Sequence, residues 1–119
     1  MIMESYHADM PHMRVLIKKP KFISRVYSPQ EMKFIMGKNF SPNIMAEMYC
    51  AKLALKKALG QRFQGCSIQE VSVLADYSGN YYISLSGEAK KRLASTKAKF
   101  TVTCSHSKSI ALATVIVEL

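Results

Sequence analysis

Lys52 and Lys56 stand four residues apart in a helical pattern, so the spacing puts both ammonium groups on one helix face. His106 and Lys108 fall together in a turn that follows a strand pattern. A lysine beside a diphosphate supplies positive charge, and a histidine can accept or donate a proton. Plainer readings exist for each: solvated lysines, and a hydrogen-bonded structural histidine. The net charge is +9, from 17 basic and 8 acidic residues, which favours an anionic partner. Nucleic acid, an acidic protein, a phosphate-rich cofactor and an anionic lipid all meet that description, and charge alone does not choose among them.

Other classes are easier to set aside. The three cysteines, Cys50, Cys66 and Cys104, lack metal-ligand spacing, and their odd number implies no disulfide framework. Cys50 and Cys104 sit inside apolar patterns and read as small buried hydrophobes. No apolar run is long enough to span a membrane. The first residues do not read as a signal peptide, so a cytoplasmic location is the expectation.

A chain of 119 residues fits one domain, residues 1–119. Its first dozen residues carry no clear pattern, and Pro11 argues against an interior strand there. A short helix is expected from about His12 to Lys18, and a helical turn from Lys21 to Tyr27. Ser28-Pro29-Gln30-Glu31 combines a capping serine, a proline at the first helical position and a glutamate three residues after the cap. Ser41-Pro42 opens a long helix that Gly60 stops, with Ile44, Met48, Ala51, Leu55 and Leu59 as the buried stripe. From Ile68 the period falls to two, giving strands at Val71–Ala75 and Tyr81–Ser86 about a Ser78-Gly79 turn. A basic helix over Gly87–Ser95 precedes strands at Phe100–Cys104 and Ile110–Val117. The pattern is α+β, a long helix packed on an antiparallel sheet.

The helix segment Tyr49-Cys50-Ala51-Lys52-Leu53-Ala54-Leu55-Lys56-Lys57-Ala58-Leu59-Gly60 resembles the F-A-A-K-E-A-x-x-K-A-L-G signature of the holo-[acyl-carrier-protein] synthases, the small trimeric 4′-phosphopantetheinyl transferases. Leu53 stands where that family has a glutamate that helps hold magnesium, and Met48 where it has an arginine. Four further segments are similar in the same order. His7-Ala8-Asp9 lies on G-T-D, and Phe22-Ile23-Ser24-Arg25-Val26-Tyr27-Ser28-Pro29-Gln30-Glu31 on F-x-x-R-V-x-T-P-x-E. Ser78-Gly79-Asn80-Tyr81 resembles N-G-x-P, and the stretch from Val102 through Ser105 and His106 to Ala111 resembles V-S-x-S-H-x-x-x-Y-A.

The resemblance implies a 4′-phosphopantetheinyl transferase-like fold in a homotrimer with sites between protomers. It implies transfer of 4′-phosphopantetheine from coenzyme A to a serine of an apo acyl carrier protein, in fatty acid and lipid biosynthesis. Lys52 and His106 would be catalytic, with Lys52, Gly65, Ser105, His106 and Lys108 holding coenzyme A. Asp9 would bind Mg²⁺, which the leucine at position 53 weakens or removes. Arg14, Lys18, Lys21 and Arg25 would form the basic face that meets the acidic carrier. The Asp9 side and the His106 side would come from neighbouring protomers. An alternative is a catalytically impaired relative that binds carrier protein or coenzyme A without turnover. A basic nucleic-acid-binding protein rests on charge alone, with no base-stacking aromatic motif behind it.

Overall fold

The computed structural model describes residues 1–119. In chain order the elements are β1 (Ile2–Asp9), α1 (Met10–Leu16), α2 (Pro20–Val26), α3 (Pro29–Gly37), α4 (Pro42–Leu59), β2 (Val71–Ala75), β3 (Tyr81–Leu85), α5 (Gly87–Leu93), β4 (Lys99–His106) and β5 (Ile110–Glu118).

Each of the first four helices has a proline in its first turn, where a missing N–H costs nothing. The expected start at His12 moves to Met10, because Asp9 ends β1 and its carboxylate accepts the backbone N–H of His12 at 3.0 Å. At α3 the serine–glutamate signature forms a complete capping box. Gly60, at φ 55°, ends α4 as the sequence suggested.

The strands do not form one sheet. β1, β5 and β4 make a three-stranded antiparallel sheet in the order β1-β5-β4, and β2 pairs only with β3. The patternless start of the chain is therefore an edge strand, with Ile2 opposite Val117 and Asp9 opposite Ile110. Along β5, Ala111, Ala113, Val115 and Val117 are buried, while Ile110 and Leu112 are exposed on the other face. α4 lies over the buried face and also contacts β2 of the second sheet. It is thus covered on more than one side, and Met45, Met48, Leu55 and Leu59 are all fully buried. Each such side chain contributes roughly 1.5–3 kcal/mol through burial. That arrangement decides which polar residues of α4 reach solvent.

Candidate active site

At the C-terminal half of α4, Leu53, Lys56 and Lys57 line an open recess of about 610 Å³ with Tyr6, Gly60, Phe63, Gln64, Gly65 and Cys66. Leu53 and Lys57, four apart, share the face that opens there. Lys57 Nζ lies 3.4 Å from a Glu4 carboxylate oxygen and remains largely exposed. Gly65 is at φ 84°, and a Cβ added to it would sit 3.2 Å from the Arg92 guanidinium. A side chain there meets backbone strain, and Arg92 would have to shift slightly to admit it.

Lys52 does not join this recess, which corrects the sequence expectation. It is fully buried, with its ammonium bonded to Glu31 and 5.9 Å from the Tyr27 ring centre. Glu31 also accepts the backbone N–H of Ser28 and of Val73, each at 2.9 Å. The pair therefore ties α3, α4 and β2 together. Burial pushes the Glu31 carboxyl up, against the pull of Lys52 and the backbone N–H groups. Burial likewise pushes Lys52 down, against the charge of Glu31. Enclosed in this way, Lys52 lines neither recess. Helical spacing placed Lys52 beside Lys56, but only Lys56 is exposed, because α3 and β2 close over position 52.

A second polar recess, of about 360 Å³, lies at the other half of α4. Its walls are Arg14, Asn43, His106, Ser107 and Lys108. His106 Nδ1 is 2.7 Å from Glu47 Oε2, and the Tyr81 hydroxyl donates to Glu47 Oε1 at 2.8 Å. The Ser107 hydroxyl accepts the N–H groups of Ser109 and Ile110, both at 3.2 Å, which shapes the turn. Arg14 Nη2 donates to the Lys108 carbonyl at 3.3 Å and so fastens α1 to that turn. Glu47 is a site residue that the sequence reading missed as one. Its partner in the fold is 59 residues away, and no local spacing signals that contact.

Burial followed by the charge of Glu47 pushes the Cys104 and Cys50 thiols up to about 12. Burial and the hydrogen bond to Glu47 also raise Tyr81. These groups stay neutral beside the dyad.

Ser105 and Asp9 fall elsewhere. Ser105 pairs with exposed Leu112 and His106 with buried Ala111, so successive residues of β4 face opposite sides. Asp9 pairs with exposed Ile110, at the same end of the sheet as His106 but on the opposite face. Magnesium usually meets one or two carboxylates plus phosphate oxygens. Asp9 already caps α1, Leu53 offers no donor, and no group of three His, Cys, Asp or Glu side chains is placed to hold a metal ion. The residues of one chain do not fit a protein-held magnesium ion.

Arg14, Lys18, Lys21 and Arg25 are all exposed along α1 and α2 and the turn joining them. Of these, Arg14 also lines the His106 recess.

No family model matches the sequence. The chain is 32% identical over 104 residues to a holo-[acyl-carrier-protein] synthase of Alkaliphilus metalliredigens, covering 87% of this chain and 85% of that protein. It is 31% identical over 102 residues to the Clostridium tetani protein of the same name, covering 85% and 81%. Among solved structures, the Neisseria meningitidis holo-[acyl-carrier-protein] synthase superposes with a TM-score of 0.86 at 22% identity, over 100% of both chains. A Helicobacter pylori holo-[acyl-carrier-protein] synthase solved with coenzyme A gives 0.79 at 22% identity, over 98% of this chain and 100% of that one. With its α+β fold, its α4 signature and these relatives, the chain belongs to the holo-[acyl-carrier-protein] synthase family.

Proposed function

We propose that this chain transfers 4′-phosphopantetheine from coenzyme A to the serine hydroxyl of an apo acyl carrier protein. The observation that carries this reading is the recess of Leu53, Lys56, Lys57 and Gly65 on the signature helix. Lys56 and Lys57 supply the positive charge that a diphosphate demands, and Gly65 leaves backbone open to the pantetheine arm. The Helicobacter pylori relative holds coenzyme A in its crystal structure, which supports coenzyme A as the substrate here.

The reaction needs both recesses. Lys57 lies ten residues beyond Glu47 on α4, about 15 Å along the helix axis. One protomer does not join them, and a homotrimer with sites between neighbours would. The exposed sheet face carrying Met3, Ile110 and Leu112 gives such an assembly an apolar surface to cover. Ser105 and Asp9 open on that face, where a neighbouring protomer would reach them. Lys108 and His106 would then serve a neighbour's coenzyme A. With Asp9 capping α1, no carboxylate set of one chain holds magnesium, and the lysines carry the neutralisation of the diphosphate. The basic surface of Arg14, Lys18, Lys21 and Arg25 suits an acidic carrier protein. A single cytoplasmic domain acting in fatty acid biosynthesis completes this reading; no helix is long and apolar enough to cross a membrane.

The test is intact-mass analysis of apo carrier protein after incubation with coenzyme A, magnesium and the chain. A phosphopantetheine mass gain is expected. Its absence at carrier-equivalent enzyme concentration would refute the transferase and favour the second reading, a relative that binds without turnover. That second reading draws on one specific observation, the apolar Leu53 in the recess.

A further inference from the structure

The transferase reading leaves Glu47 without a role, although it is an almost buried carboxylate, 8% exposed, inside a hydrogen-bonded network. Both of its oxygens are engaged. Tyr81 donates to Oε1 at 2.8 Å, and His106 Nδ1 approaches Oε2 at 2.7 Å. An ionised carboxylate only accepts hydrogen bonds, so this contact requires the proton on Nδ1. The other ring nitrogen, Nε2, then carries the free lone pair. His106 is 41% exposed on its side chain, and the ring lines the recess with Arg14, Asn43, Ser107 and Lys108.

We propose that Glu47 is the positioning residue that fixes His106 as a proton acceptor, with Nε2 turned to the incoming carrier serine. The inference rests on the transferase reading and deepens it. In the step, the serine O–H gives its proton to His106 Nε2. The serine oxygen forms a bond to the β-phosphorus of coenzyme A. The bond from that phosphorus to the bridging oxygen breaks, and its electron pair stays on the leaving adenosine 3′,5′-bisphosphate. Glu47 stabilises the imidazolium that forms, and Nε2 later releases the proton to solvent.

The surroundings fit this division of labour. Tyr81 from β3 holds the far oxygen of Glu47, so the carboxylate does not rotate away from the ring. Cys104 from β4 reaches the Glu47 carbonyl at 3.8 Å and remains a neutral thiol. The cations nearest the recess are Arg14 on α1 and Lys108 in the turn. They stand on the solvent side, where a phosphate approaches, and neither is paired with Glu47. The carboxylate therefore serves the imidazole and the tyrosine alone.

The experiment compares the full-length wild type with Glu47→Gln, His106→Ala and the double variant, in transfer assays and by ¹⁵N NMR of the histidine rings. The glutamine keeps side-chain volume and an acceptor oxygen, so folding is preserved. In the wild type, the neutral His106 ring should show a protonated Nδ1 and an unprotonated Nε2. Glu47→Gln should lower kcat about tenfold to a hundredfold, with KM for coenzyme A within about twofold. The double variant should lose no more than His106→Ala alone. Active wild type with Glu47→Gln at full kcat would overturn the positioning role and leave the transferase standing. A protonated Nε2 in the neutral wild-type ring would overturn it too, whether or not the chain turns over. Wild type inert toward every carrier would instead overturn the transferase, and the catalytic role of Glu47 with it.

Discussion

α4 carries two acid–base pairs made of similar parts and put to opposite ends. Lys52–Glu31 is closed off, with both side chains at 0% exposure. His106–Glu47 is open at the histidine, 41% exposed, and closed at the carboxylate, 10% exposed. The first pair spends all its bonding capacity inside the molecule, joining α3, α4 and β2. The second keeps one ring nitrogen free at a basic recess. Burial thus separates a strut from a side chain left open to solvent, even where sequence resemblance nominates both.

The largest expected effect breaks the strut. Lys52→Met leaves the Glu31 carboxylate buried without its partner and should cost about 3–5 kcal/mol of unfolding free energy. Urea denaturation reads this as a lower midpoint, and a midpoint shift under about 1 kcal/mol would show that Lys52 is not the buried partner described. Because Lys52 touches no recess, the folded fraction of this variant should still transfer phosphopantetheine.

Lys57→Ala acts on the exposed recess instead. It should leave stability almost unchanged, since its contact with Glu4 is exposed. Affinity for coenzyme A or adenosine 3′,5′-bisphosphate should fall roughly tenfold through the lost charge-assisted contact, as measured by calorimetry. Unchanged affinity would move the phosphates out of that recess.

How far the sequence revealed this division follows from the same residues. Helix starts were legible because capping is local: Ser28 with Glu31, and Ser41 with Pro42, need only their neighbours. The α4 stripe was legible because burial there repeats with the helix. β1 was not, since its alternation of half-buried and exposed residues includes Glu4, Ser5 and His7 and mimics a loop. Lys52 was misplaced because a helical period gives a face but not what covers it. Glu31 reads locally as a cap, yet it also reaches Lys52, 21 residues on, and the N–H of Val73, 42 residues on. Leu53 and Gly65 did prove to be neighbours in one recess, while Ser105 and His106, adjacent in the motif, separated onto two faces.

Alkaline pH probes the groups packed around Glu47. The Cys50 and Cys104 thiols, held near 12 in the fold against 9.0 ordinarily, both feel the Glu47 charge. A folded value raised above the unfolded one gives stability that is complete below about pH 9 and lost as pH rises toward 12. Tyr27 and Tyr81 are raised as well and act in the same direction. Unfolding free energy should therefore decline between pH 9 and 12, and Cys50 and Cys104 should resist alkylation at pH 8. Rapid alkylation of Cys50 in the folded chain would contradict its burial.

The smallest effect belongs to the outer surface. Lys21→Glu with Arg25→Glu should slow carrier association a few-fold at low salt, with the difference fading near 1 M salt and kcat unchanged. Stopped-flow binding at two ionic strengths measures it. A salt-independent difference would mean that these residues are not an electrostatic docking face.

The two half-sites, at Lys57 and at His106, should meet between copies of the chain. Lys57→Glu and His106→Ala, each inactive alone, should be co-expressed with different affinity tags and purified through both. In a mixed trimer one of the three junctions pairs an intact Lys57 recess with an intact His106, so roughly one third of wild-type transfer should return. Mixed assemblies as inactive as either variant alone, or an active wild type that sediments as a monomer, would contradict it.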